Sequence, residues 1–107
     1  ENILIVGSGS SFHNLSLMSQ PHPETEVRAQ AFDTWLNSIL KEDVKTQETA
    51  LAHWDSVAPY ARFCHPREEH LLPLHVCLGA ALANNFKVKS IFREKVMGIP
   101  MSGFLWT

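Results

Sequence analysis

Ile3-Leu4-Ile5-Val6, followed at once by Gly7-Ser8-Gly9-Ser10-Ser11, is the stretch that sets the expected fold class. Four aliphatic residues in an unbroken run, ending at a glycine, read as a strand buried on both faces in the middle of a parallel sheet. The small polar residues after it read as a tight loop at the strand's carboxyl end, where ligands bind in open α/β sheets. Beyond the turn Pro21-His22-Pro23 the spacing becomes helical: Val27, Ala31, Trp35, Ile39 and Leu40 share a face, with Glu24, Glu26 and Arg28 at the polar start. A shorter helix is predicted over Thr49 to Trp54, with Leu51 and Trp54 inward. A third starts at Pro66, with Glu68 and Glu69 suited to its N-terminus and an apolar stripe through Leu71, Leu74, Leu78 and Leu82. Pro73 lies inside that stripe and denies a helical bond to the Glu69 carbonyl, so a distorted turn is predicted around Glu69 and His70. After Asn84-Asn85 the pattern turns to β: Phe86, Val88, Ser90 and Phe92 alternate with Lys87, Lys89, Ile91 and Arg93, and a closing strand covers about Met101 to Trp106. The order predicts an α/β fold, a mixed sheet with helices packed on it.

A doubly buried strand needs neighbours on both edges and helices on both faces. Only two later segments read as strands, so the expectation is that residues 1–107 are one portion of a larger domain. The remaining sheet would come from another chain or from residues preceding Glu1. Composition fits an ordinary globular chain, 45% hydrophobic and 19% charged. The formal net charge of -2 and the lack of any Lys/Arg cluster exclude a nucleic-acid or anionic-membrane footprint. No apolar run is long enough to span a bilayer. Cys64 and Cys77 fit no metal or redox spacing and are expected to be free thiols in a reducing, cytoplasmic setting.

Six histidines in 107 residues are the first sign of chemistry. His13 follows the Gly-Ser-Gly-Ser-Ser loop, on the side of the expected ligand crevice, where an imidazole serves either to take or give a proton near neutral pH or to cap a nearby backbone group. The Gly-x-Gly lacks the third glycine of a dinucleotide fingerprint, Phe12 standing in its place. A second cluster is His65-Pro66-Arg67-Glu68-Glu69-His70-Leu71-Leu72-Pro73-Leu74. Its His65 and Glu69 lie one helical turn apart, a spacing that serves either a divalent metal or a polar helix start. His75 and Cys77 read as packing residues, and His22 and His53 as surface ones.

Taken in order, these motifs form a series. Gly7 to Leu15, then Phe32-Asp33-x-Trp35-Leu36, Ala58-Pro59-Tyr60-Ala61, His65 to Val76, Leu78-Gly79-Ala80-Ala81 and Met101-Ser102-Gly103-Phe104 resemble the class III extradiol ring-cleavage dioxygenases (LigB superfamily) of the DOPA type. The resemblance covers nearly the whole chain and places it in the C-terminal portion of the family's catalytic domain. It implies a non-haem metal site, with Fe(II) in active enzymes and Zn(II) often in its place, that holds a catechol and O2 side by side while the ring opens next to its two hydroxyls. His70 matches the family's metal-ligand histidine in the second motif. His13 matches the histidine beside the metal, assigned as acid/base or additional ligand. Glu69 is the reserve ligand, since related enzymes use two histidines and one carboxylate, and His65 is a possible additional one on its spacing. Two further histidine ligands belong to the family's N-terminal half and match nothing here. An N-terminal segment or chain is therefore an expected partner, and the isolated chain is expected to be inactive. Phe12, Tyr60 and Phe63 are candidates to line an apolar pocket. The alternative is a processed or paralogous form serving as a non-catalytic binding or structural module.

Overall fold

A computed structural model describes residues 2–107. Its centre is α2 (Thr25–Ile39), which buries Thr25, Ala29, Phe32, Asp33, Leu36 and Asn37. This face is rotated from the expected one: Val27 is 70% exposed, and Trp35 and Ile39 lie at the margin of the core. The rotation has a chemical cause. Asp33 and Asn37 are polar, yet both are buried because partners across the fold satisfy them, so apolar spacing alone points beside the true face.

Around α2 lie α1 (Leu15–Ser19), α3 (Val44–Ala52), α4 (Trp54–Val57), α5 (Ala61–Cys64) and α6 (Leu72–Ala83). The predicted helix over Thr49 to Trp54 is two elements, and the first starts at Val44 because Asp43 caps it. The Asp43 carboxylate accepts from the Thr46 amide at 2.9 Å and the Thr46 hydroxyl at 3.0 Å. Those bonds also hold the Asp43 carboxyl below the usual carboxylate range. The third predicted helix begins at Leu72 rather than Pro66, with Pro73 in its first turn. There the missing N–H has no helical acceptor to lose, so proline starts this helix instead of kinking it. Residues 66–71 form turns ahead of it, closed by amides of Leu71 and Leu72 on the Glu68 carbonyl at 2.9 and 3.0 Å. The predicted stripe stands: Leu71 and Leu78 are buried, and Leu74 and Leu82 pack against the core.

The sheet among the described residues is an antiparallel hairpin of β1 (Val88–Val96) and β2 (Ile99–Trp106). Val96 faces Ile99 across Met97 and Gly98, whose φ angles of 53° and 78° define a primed two-residue turn. The register shifts between Ser90 and Phe92, a bulge at Ile91. β2 packs on α2, while β1 is largely exposed. The fold is thus α/β, with helices on one strand of a small sheet.

The expected strand Ile3 to Val6 does not form. Its residues are 73%, 83%, 51% and 76% exposed and join neither β1 nor β2. An aliphatic run becomes a buried strand only where neighbouring backbones supply ladder partners, and the two strands present satisfy each other instead. Cys64 and Cys77 are free, and burial pushes the Cys64 thiol up to about 12. No helix among the described residues is long and apolar enough to cross a membrane.

Candidate active site

Residues 7–14 run against the turn and helix start at 63–77, and glycine makes the approach close enough. A Cβ on Gly7 would meet Cys77 Sγ at 2.6 Å and the Pro73 carbonyl oxygen at 2.9 Å. On Gly9 it would collide with the carbonyl oxygen of His70. The Gly-x-Gly is therefore a packing device for backbone contact, not a phosphate cradle.

Hydrogen bonds then lock the two segments together. The Ser10 amide donates to the His70 carbonyl at 2.8 Å, and the His13 amide to the Cys64 carbonyl at 3.0 Å. Asn14 Nδ2 donates to the Phe63 carbonyl at 2.8 Å. From the other side β2 takes hold, the Ser102 amide donating to Ser11 Oγ at 2.9 Å. Ser102 Oγ in turn donates to the buried Asp33 carboxylate at 2.6 Å, which also accepts from Arg93 Nε at 3.1 Å. Asp33, Asn37 and Ser102 were not recognised as site support from sequence. Asp33 and Ser102 both lie in motifs of the series, but spacing assigns them no role.

The outcome of this clamp is that His13 and His70, 57 positions apart, stack. Their ring centroids are 3.5 Å apart and their planes 18° apart. His70 is exposed and His13 half-buried. Beside them lies a groove of about 410 Å³ between residues 3–11, the start of α6 and β2, to which His70, Pro73, Cys77 and Phe104 contribute.

The other candidates fall elsewhere. Glu69 is exposed, its carboxylate 2.8 Å from the Arg67 guanidinium. His65 is fully buried, packed by the rings of Phe32 and Trp54, with Nε2 2.9 Å from the Ser11 carbonyl. Phe12 is a core residue. Tyr60 and Phe63 sit beneath the Arg28 guanidinium, Tyr60 with a left-handed φ of 53°. His75 is a packing residue as expected, its Nε2 2.8 Å from the Leu51 carbonyl.

An imidazole nitrogen directs its lone pair within the ring plane, and metal–nitrogen bonds are about 2.0–2.1 Å long. With the two rings stacked, an ion in the plane of one lies outside the plane of the other. The pair as arranged fits one metal donor and one neighbouring base. Among the described residues no group of three or more His, Cys, Asp or Glu is placed to hold a metal.

A glycine-packed loop thus presents one histidine onto another, and the family follows from the sequence match. Residues 1–102 match the family described as the catalytic LigB subunit of aromatic ring-opening dioxygenase, and the chain belongs to that family. It is 36% identical over 89 residues to a 4,5-DOPA dioxygenase extradiol of Beta vulgaris, covering 79% of this chain and 31% of that protein. It is 36% identical over 100 residues to the 4,5-DOPA dioxygenase extradiol of Mirabilis jalapa, covering 88% and 34%. The Dioxygenase tasH of Hapsidospora irregularis is 37% identical over 117 residues, covering 99% and 35%. The chain thus spans about a third of the length of the curated relatives it matches.

Proposed function

We propose that residues 1–107 are the C-terminal portion of the catalytic domain of an extradiol dioxygenase that opens catechol-type rings with O2. The observation that carries this reading is the stacking of His13 on His70, since two imidazoles far apart in sequence are brought into contact by a dedicated backbone clamp. Membership of a ring-opening family and likeness to DOPA dioxygenases support the substrate class. In this reading His70 is one ligand of a non-haem metal, Fe(II) in the working enzyme with Zn(II) able to take its place. The other ligands come from residues outside these 107. Such a metal, when bound, supplies an open-sided site that favours the catecholate and holds it beside O2. His13, against His70 yet not sharing its lone-pair direction, takes the proton that a catechol hydroxyl gives up. Gly9 and Ser10 keep the two rings at that separation.

The test is anaerobic Fe(II) titration of the native polypeptide carrying these residues, then admission of air with a catechol such as DOPA while ring-opened product is followed by absorbance. His70→Ala should lose metal and turnover together. His13→Ala should retain most of the metal while turnover falls by about 10²–10⁴-fold, the ordinary worth of a general base. Unchanged turnover in both variants would sink the assignment.

A further inference from the structure

His65 has no task in the scheme above, yet it is 0% exposed and one of the largest fully buried side chains. A ring that could be replaced by hydrocarbon would be cheaper there, because burying a polar group without a partner costs about 1–3 kcal/mol. One of its nitrogens is in that position: Nδ1 is buried with no hydrogen-bond partner among the described residues. The other, Nε2, lies 2.9 Å from the Ser11 carbonyl oxygen. A carbonyl only accepts, so Nε2 carries the proton and donates. The ring is thus held in one tautomer, steered by Phe32 at 5.3 Å and Trp54 at 5.9 Å between centroids.

What the bond grips is the significant point. Ser11 lies two residues before His13, and its hydroxyl is already held by the Ser102 amide. His65 itself follows Cys64, whose carbonyl receives the His13 amide, and precedes His70 by five residues. The bond therefore ties the loop that carries His13 to the segment that carries His70, midway between their other contacts.

We propose that His65 is a positioning residue: as a buried Nε2–H donor to the Ser11 carbonyl, it sets the seat of the His13 loop against His70. This rests on the reading of His13 and His70 as the working pair, and it removes His65 from the candidate ligands. Its donor is committed to a carbonyl and its free nitrogen faces the core. Burial opposes its protonation, so the donor remains neutral under ordinary conditions.

The decisive measurements use the native polypeptide and include one that needs no substitution. Long-range proton–nitrogen spectra at pH 7 should show His65 neutral with the proton on Nε2. A proton on Nδ1, or a charged ring, would overturn the proposal. Next, His65→Gln keeps an N–H within reach of Ser11, whereas His65→Phe fills the space without one. In the Phe variant the cross-peaks between the His13 and His70 rings should weaken and kcat should fall at least tenfold, with KM within about twofold; His65→Gln should recover most of both. If His65→Phe retains the ring contacts and kcat, the positioning role is wrong. If it does not fold, the tautomer and the Gln variant still decide. Lack of ring opening by the unaltered protein would defeat the proposed function, while the ring contacts would still report on the latch.

Discussion

Gly9 is the residue on which the site geometry leans most directly. Its missing side chain lets the Ser10 amide reach the His70 carbonyl, and any Cβ there collides with that oxygen. The neighbour is backbone, which cannot swing aside, so Gly9→Ala should destabilise by about 1–3 kcal/mol in denaturant melts and separate the two imidazoles. His65 makes a second prediction, about pH. Burial, which opposes the charged ring, outweighs the bond to the Ser11 carbonyl and pushes it down to about 4 from 6.5. The unfolded chain then binds a proton that the folded one refuses between those values. Stability from this group is full above about pH 6.5 and declines as pH falls toward 4, by about 3 kcal/mol in all. Melting curves at pH 7 and pH 4.5 should show the fall, and His65→Gln should flatten it. His13 and His70 were legible as candidates because their motifs carry them, and the structure brings the two rings into contact. His65 was legible only as a candidate ligand, since nothing in its spacing separates a metal donor from a buried hydrogen-bond donor.

Among the elements, the hairpin carries an unforced cost. Met97 occupies a left-handed position where a side chain with a local hydrogen-bonding group is favoured, next to Gly98 in the same turn. Met97→Asn should raise stability by about 0.5–1 kcal/mol without altering the register Val96–Ile99, a change visible as a shifted denaturation midpoint. The same scale shows why some elements were readable and others were not. The stripe of α6 is a single-face pattern and appears where expected, whereas β1 forms where its alternation placed a strand but is exposed on both faces beyond Val88. The start of α6 was misplaced because proline is equally at home in a first turn and disruptive one turn later. Only the Leu71–Leu72 turn decides between those roles. The inward face of α2 was displaced because Asp33 and Asn37 look like surface residues until Ser102 and Arg93 are brought to them.

For the molecule as a whole, the proposed function makes the donor set the controlling quantity. Metal affinity rises with the number of donors held in place, and the ordering and deprotonation of ligands is repaid only when the set is complete. His13 and His70 alone do not make such a set among the described residues. The isolated 107 residues should therefore bind Fe(II) weakly and give no detectable ring opening. Both should appear when the remainder of the family's catalytic domain is supplied, as read by anaerobic titration and product absorbance. Robust turnover by the isolated chain would overturn that expectation.

The stretch Asn2 to Val6 has a practical consequence for anyone handling the isolated chain. It is uncharged, free of proline and rich in β-branched side chains, and it lies outside any ladder. That combination is a template for cross-β pairing between molecules. Light scattering from the isolated chain should grow with concentration and time. A lysine at Leu4, 83% exposed and so outside the core, should suppress the growth without changing the melting midpoint. The residues that promised the deepest part of the fold would then set its shelf life.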